Sequence, residues 1–207
     1  MTPGGPGTTA ARPAPAEGGA EDRRARLTAG LAAAIAEKGY AGTTIADVVR
    51  HARVSKRTFY EHFAGKEACF LALYSETSDG LLELIAGAVA GDGPWDARLA
   101  AATRAYFERL AAEPALIRAA LVDIRAAGPR ALRLRREVQG RSADLLRALS
   151  AQEPSVRPLT PALATAVVGG LNELMLEAVE PGHAARLGEL ADAAVELIRA
   201  VLTAPRA

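Results

Sequence analysis

The sequence has very little cysteine, and this limits the kinds of protein that it can encode. Cys69 is the single cysteine among 207 residues, so an intramolecular disulfide framework and a cysteine-based zinc cluster are excluded. The three histidines show no zinc-ligand spacing with it. A chain with one unpaired thiol fits a reducing compartment, so we expect a cytoplasmic protein without a metal centre.

The sequence also has almost no excess of one sign of charge, few aromatic side chains and no long apolar run. Lys and Arg number 25 against 24 Asp and Glu, which argues against a strongly basic chromatin-type protein and against an acidic solvating one. Four Phe, four Tyr and one Trp stand against 48 alanines, and this methyl-rich composition favours close-packed helices over sheets. The longest uncharged run, residues 158–172, is too short to span a bilayer. We therefore expect no membrane-spanning segment, and no secretory signal is apparent in residues 1–20.

The hydrophobic pattern predicts an all-α chain of about nine helices that follow a disordered tail over residues 1–20. The tail holds four prolines and five glycines but almost no large apolar side chain. From Glu21 onward, apolar residues recur with helical period, and no stretch of alternating β-branched residues appears. The predicted helices cover about residues 22–38, 44–52, 55–63, 66–90, 95–112, 114–127, 129–150, 161–180 and 185–202.

The distribution of charge predicts two domains. Residues 21–74 hold nine Lys and Arg against six Asp and Glu, whereas residues 75–207 hold fifteen against seventeen. All three lysines and six of the nine aromatic residues fall in the first block. A small, locally basic domain over residues 21–67 is therefore predicted before a larger helical domain over residues 68–207.

The second and third predicted helices, over residues 44–63, have the pattern of a helix-turn-helix motif. Thr44 is a good N-cap with an acidic residue three positions on for a capping box, and Ser55 can cap the short third helix. At about 100° per residue, Phe59 and Phe63 share one face of that helix and Arg57 lies opposite. In such motifs the second helix enters the major groove of DNA.

These residues resemble the DNA-binding domain of TetR-family transcriptional regulators. The resemblance lies in Gly39-Tyr40, in Thr43-Thr44-Ile45, in the run VSKRTFYEHF over residues 54–63 and in Lys66-Glu67. Beyond Glu76 it is architectural only. It implies an all-helical homodimer with a C-terminal ligand-binding and dimerisation domain. Such a dimer binds a palindromic operator in double-stranded DNA and usually releases it when a small molecule binds.

Three functions stay open at this point. The first is a repressor released by a small, hydrophobic ligand, which the resemblance favours. A transcriptional activator or a ligand-independent DNA binder would share every motif. A helical interaction module without DNA binding is the third, and it would show no salt-dependent affinity for duplex DNA.

The resemblance also implies roles for single side chains. The start of the third helix would meet bases and adjoining phosphates, and its later residues would contact the phosphate backbone. The first group is Ser55, Lys56, Arg57 and Thr58, and the second is Tyr60 and His62. Thr44 and Lys66 would hold phosphates at the starts of the second and fourth helices, where free N–H groups and the helix dipole attract anions.

Arg53 departs from the family pattern, which usually has glycine in this turn. A left-handed backbone costs a non-glycine residue on the order of 1 kcal/mol. Either the turn is remodelled, or Arg53 adds a phosphate contact that offsets the cost. The sequence leaves both explanations open.

The larger domain yields weaker expectations. Its last two predicted helices are apolar on more than one side, so each needs two partners. Burial inside one protomer would explain this pattern, but together with the family resemblance it favours a four-helix dimer interface. Four large apolar residues of this alanine-rich domain are candidates for the lining of a ligand pocket, and two polar residues are candidates for hydrogen bonds to the ligand. They are Trp95, Tyr106, Phe107, Arg125, Asn172 and Met175. No nucleophile elbow, phosphate-binding loop or dinucleotide fingerprint occurs, so we expect no catalytic residues and no cofactor.

Overall fold

The computed structural model describes residues 17–178 and 186–203, and within these ranges the chain is helical and contains no strand. The all-α prediction is therefore confirmed. The elements are α1 (Glu17–Gly42), α2 (Ile45–Ala52), α3 (Lys56–His62), α4 (Lys66–Val89), α5 (Trp95–Ala111), α6 (Pro114–Leu121), α7 (Pro129–Gln152), α8 (Pro161–Ala178) and α9 (Arg186–Thr203), with a 3₁₀ turn at Asp123–Arg125 between α6 and α7.

The start of α1 differs from its prediction. Residues 17–20, which the sequence assigned to the tail, are helical, and the rest of the predicted tail, residues 1–16, lies outside the described residues. Gly39 has φ 71° and ψ 166°, so the regular helix ends at Lys38, as its sequence predicts. The eighth helix is predicted to end near residue 180 and the ninth to begin near residue 185. Both positions fall in residues 179–185, which also lie outside the described residues.

Helix α6 is shorter than the predicted segment over residues 114–127. It ends at Leu121, and the chain tightens into the 3₁₀ turn that follows. That turn buries Ile124 fully in the N-terminal core. It also brings a carboxylate oxygen of Asp123 within 3.4 Å of the backbone nitrogen of Tyr40, which donates to it. Contacts with α1 thus fix the end of α6.

The N-terminal core extends beyond the predicted small domain. Leu27, Leu31 and Phe59 are fully buried there, in agreement with the predicted apolar faces. Phe70 from α4 and Leu116 from α6 belong to the same cluster. Helices α4 and α6 therefore join the helix-turn-helix to the rest of the chain through apolar packing.

The C-terminal helices enclose a second apolar interior. Helix α5 packs against α4 and α9, and α8 packs against α7 and α9. The interior is made of two clusters, one around Trp95 and Ile198 and one around Phe107 and Met175. In the described ranges, no helix is both long enough and apolar enough to cross a bilayer.

Candidate nucleic-acid interface and effector cavity

The N-terminus of α2 is fixed by the predicted capping box. The hydroxyl of Thr44 accepts a hydrogen bond from the Asp47 N–H at 3.3 Å, and the Asp47 carboxylate accepts one from the Thr44 N–H at 3.0 Å. Lys38 of α1 donates to the same carboxylate at 2.5 Å. The hydrogen bond from Lys38, followed by those from Thr44, holds the pKa of Asp47 well below its usual range. The start of α2 is therefore bound to α1 by charge as well as by packing.

Helix α3 presents a polar face to solvent. Its N-cap Ser55 accepts a hydrogen bond from the Thr58 N–H at 3.0 Å, which confirms the predicted cap. Phe59 is fully buried, whereas the Arg57 side chain is 90% exposed and Tyr60 is 59% exposed. An apolar face thus anchors the helix, and a face with free hydrogen-bonding groups is left for a ligand outside the protein.

The remaining candidates for DNA contact differ in exposure. Thr44, Ser55 and Lys56 are exposed, whereas Thr58 and His62 are half-buried. The Ser55 and Thr58 hydroxyl oxygens lie 2.9 Å apart. Arg57 donates to Glu61 at 3.2 Å in an exposed pair on the surface of α3. Such a pair contributes little to stability, so Arg57 can exchange Glu61 for a base edge or a phosphate at small cost.

The turn between α2 and α3 keeps the left-handed geometry and is not remodelled. Arg53 has φ 53° and ψ 46°, and it is the single non-glycine residue with positive φ among those described. Its N–H donates to the Arg50 carbonyl at 3.3 Å, and the Val54 N–H donates to the Val49 carbonyl at 3.1 Å. Of the two explanations left by the sequence, remodelling is therefore excluded.

Arg26 supports this turn from α1, which the sequence did not predict. One guanidinium nitrogen donates to the Ala52 carbonyl at 2.7 Å and to the Arg53 carbonyl at 3.1 Å. These carbonyls lie at the C-terminal end of α2, where a cation is favoured by the helix dipole. Arg26 lies 26 residues before Ala52, so no local sequence pattern connects the two.

Gly30 allows α1 and α2 to pack closely. A Cβ atom at this position would lie 2.7 Å from the Val48 carbonyl oxygen and 2.9 Å from the Ala52 nitrogen. Both distances are shorter than van der Waals contact, so a side chain here would separate the two helices. The sequence contained one indication of this contact, because a glycine inside a helical pattern often marks close packing.

Lys66 is placed differently from its predicted role at a phosphate. Its ammonium group donates to the Tyr40 and Thr43 carbonyls, both at 2.8 Å, and lies 4.4 Å from the centre of the Tyr40 ring. Burial lowers its pKa. Lys66 therefore ties α4 to the loop before α2, and at most one of its three N–H donors stays available to DNA.

A cavity lies in the C-terminal part of the chain. Its volume is about 170 Å³. Five of the six candidate pocket residues line it, namely Trp95, Tyr106, Phe107, Asn172 and Met175. The sixth, Arg125, is exposed and does not line the cavity. It was misplaced because α6 ends early and the 3₁₀ turn buries the neighbouring Ile124 instead.

Most of the wall was missed by sequence reasoning. Helix α4 contributes Tyr74, Ser78 and Leu81, and α7 contributes Gln139 and Ser142. For α4, the sequence did contain a sign of this role, because the apolar residues of the helix lie on more than one of its sides. Which of them face a cavity depends on how the helices pack, so the sequence alone cannot separate wall from core.

Helix α6 lies between the cavity and the helix-turn-helix. Ile117 and Leu121 line the cavity, and Ala119 is buried in the N-terminal core. Leu116 belongs to both. The turn that follows α6 reaches Tyr40 through Asp123. Helix α6 and the turn that follows it therefore contact both the cavity and the end of α1.

Comparison with known proteins is consistent with this geometry. Residues 27–73 match the family described as bacterial regulatory proteins, tetR family. No curated protein sequence matches the chain.

Many solved structures share the fold, among them the following three. A TetR-family regulator from Pectobacterium atrosepticum is 25% identical with a TM-score of 0.70, over 93% of this chain and 100% of that one. FadR from Bacillus subtilis, in complex with stearoyl-CoA, is 19% identical with a TM-score of 0.71, over 84% and 96% of the chains. FadR from Bacillus halodurans is also 19% identical, with a TM-score of 0.72 over 85% and 94%.

Proposed function

We propose that this chain, whose residues 27–73 match the tetR family of bacterial regulatory proteins, is a DNA-binding transcriptional regulator that acts as a homodimeric repressor, which a small, largely apolar ligand releases from a palindromic operator. One observation carries the proposal. The exposed face of α3 and an apolar cavity belong to one packed structure in which α6 contacts both parts. Through α6, occupancy of the cavity would act on the surface that reads DNA.

The DNA-reading role is assigned to α3 and its surroundings. Arg57 would donate to the O6 and N7 atoms of guanine, which is the commonest specific contact of arginine in the major groove. Thr44, Lys56, Tyr60 and His62 would hold phosphates and so fix the register of the helix. In the dimer, two copies of α3 would engage half-sites one helical turn or slightly more apart on one face of the DNA.

The dimer interface is assigned to the outward faces of α8 and α9. The large apolar residues of these helices are mostly turned into the protomer, where Val167, Met175 and Ile198 are buried. The outward face of α8 instead has exposed small residues at helical spacing, Ala162, Ala166 and Gly169, which let two helices approach closely. A dimer has twice the 21.5 kDa mass of the chain, and light scattering that gives the monomer mass at micromolar concentration would rule it out.

Release by a ligand follows from the position of α6. A ligand in the cavity would contact Ile117 and Leu121, which line it. It would favour the dimer shape in which α6 best accommodates it, and it shifts this equilibrium only by its differential affinity for the two shapes. The stearoyl-CoA bound by the FadR regulator of Bacillus subtilis supports an effector with a substantial apolar part.

The test of DNA reading is selection of bound genomic fragments by the purified protein, followed by measurement of affinity for the enriched site. Arg57→Ala should weaken that affinity by about 1 to 3 kcal/mol and relax the base preference. Arg109→Ala is the matched control, because Arg109 also forms an exposed ion pair with the residue four positions later, at 2.5 Å from Glu113. Unchanged operator affinity in Arg57→Ala would contradict the assigned reading face.

The interaction-module alternative is tested in the same experiment. Several cation–phosphate contacts in each dimer give a clearly negative slope of log K against log salt concentration. If no fragment is enriched and duplex DNA shows no salt-dependent binding at low salt, the helical module without DNA binding becomes the better account.

A further inference from the structure

The described wall of the cavity carries no charged side chain. Of the residues that the structure describes, twenty-nine line the cavity, and none of them is Asp, Glu, Lys, Arg or His. A charged group inside an apolar space needs an opposite charge or several hydrogen bonds to offset its lost hydration. The wall offers hydroxyl, amide and indole groups only, so it is adapted to a ligand without charge.

Four polar side chains of the wall have already used a donor on the backbone of their own helix. Each donates to the carbonyl oxygen four residues earlier, at distances between 2.7 and 2.9 Å. They are Ser78, Thr103, Ser142 and Asn172. The three hydroxyl groups among them are left with lone pairs and have no proton to offer a ligand.

Tyr106 is different, because its hydroxyl has only a weak partner. The hydroxyl oxygen lies 3.8 Å from the sulfur of Met175, and a thioether is a poor acceptor. Burial, and to a lesser degree the nearby Tyr74, raises the pKa of Tyr106 to about 12. Burial also raises the pKa of Tyr74. Both phenols therefore keep their protons at physiological pH and can act as donors.

We infer that the effector is an uncharged, largely apolar molecule with a carbonyl or ether oxygen that accepts a hydrogen bond from the Tyr106 hydroxyl. The inference rests on the proposed function, in which this cavity is the effector site. Arg135 and Arg141 act on Tyr74 electrostatically, but neither lines the cavity. They are the groups that a carboxylate ligand would need to recruit, so a carboxylate is the most informative competitor.

The experiment compares rigid ligands of one carbon skeleton. The probes are 2-adamantanone, adamantane-1-carboxylate and 1-adamantylammonium, which differ in charge and little in size. Trp95 is the single tryptophan and lines the cavity, so its fluorescence reports occupancy of this site. We expect the ketone to bind the full-length protein about tenfold or more tightly than either ion, because the ions lose hydration without a counter-charge.

Two variants test the donor. Tyr106→Phe removes only the hydroxyl and should weaken ketone binding about twofold to tenfold, which is the usual range for one neutral hydrogen bond. Thr28→Val is the control outside the cavity, because it also removes one hydroxyl, and the Thr28 proton goes to the Ala25 carbonyl at 3.0 Å. It should leave the preference for the ketone unchanged. The wild-type comparison needs no variant and holds even if a substitution disturbs folding.

The outcomes separate the inference from the proposed function. Three results would overturn the inference and leave operator binding unaffected. They are binding of either ion as tight as that of the ketone, wild-type ketone affinity in Tyr106→Phe, and no change in Trp95 fluorescence with any probe. Selective binding of the ketone that fails to release the operator would support the inference and contradict ligand-driven release.

Discussion

Replacing Arg53 by glycine should make the protein more stable and its DNA binding less sensitive to salt. The residue combines a left-handed backbone, at φ 53° and ψ 46°, with an exposed cationic side chain beside α3. Glycine removes the backbone cost and the charge together. The two consequences are measured separately, in the absence and in the presence of DNA.

The gain in stability has a definite size. The left-handed conformation costs a non-glycine residue about 1 to 2 kcal/mol, and the greater freedom of glycine in the unfolded chain takes back part of that. We expect a net gain of about 1 kcal/mol in the free energy of unfolding. For a chain of this length, that raises the melting temperature by about 2 to 4 °C. The hydrogen bonds from Arg26 to the Ala52 and Arg53 carbonyls use the backbone and should persist.

The effect on DNA binding depends on whether Arg53 contacts a phosphate. One such contact in each protomer means two in the proposed dimer, and each contributes about 0.9 to the slope of log K against log salt concentration. Losing both should reduce the slope by about 1.8. Operator affinity at low salt should fall correspondingly, with little change in base preference.

Arg53→Ala is the control that separates backbone from charge. Alanine removes the charge but keeps the cost of positive φ, so it should reproduce the smaller salt slope without the rise in melting temperature. The reasoning about the backbone is refuted if the alanine and glycine variants melt at the same temperature. The phosphate contact is refuted if the salt slope stays at its wild-type value in both.

Three further predictions concern the links that hold the helix-turn-helix in place. Gly30→Ala should lower the free energy of unfolding by about 1 to 3 kcal/mol in urea titrations, because its Cβ would approach the Val48 carbonyl oxygen to 2.7 Å; wild-type stability would show that α1 and α2 can separate freely. The Asp47 pKa is held below its ordinary value of 3.8, so its stabilising effect is present above that pH and is lost as pH falls toward the folded pKa. The stability difference between wild type and Asp47→Asn should therefore shrink when unfolding is measured below about pH 4, and a constant difference would exclude the carboxylate as the cause. Asp123→Ala removes the acceptor for the Tyr40 N–H and should weaken release of the operator by ligand while operator affinity without ligand stays within about threefold; unaltered release would mean that this contact transmits nothing.

Features governed by neighbouring residues were predictable from the sequence. Thr44 and Asp47 form their capping box because the two groups are three residues apart, which sets their geometry once a helix begins. The burial of Phe59 and the exposure of Arg57 follow from the angle between successive residues of α3. These features required no knowledge of any partner helix.

Features governed by packing between distant segments were not predictable. The position of Arg125 was wrong because Asp123 and Ile124 meet α1 and the N-terminal core, which ends α6 before its pattern does. Lys66 was assigned to a phosphate from its place at the start of α4, but its strongest partners are the carbonyls of Tyr40 and Thr43. In each case the deciding contact joins segments more than 20 residues apart.

The same packing determines how a ligand can act on DNA binding. Helix α4 buries Phe70 in the N-terminal core and presents Ser78 to the cavity. Helix α6 likewise contributes Leu116 to the core and Leu121 to the cavity. Two rigid helices therefore cross from one part to the other, and a close-packed core resists a change in one contact alone. A ligand that moves both helices together shifts the helix-turn-helix as a unit, so we expect release of DNA through a change in the spacing of the two α3 helices while α3 itself stays folded.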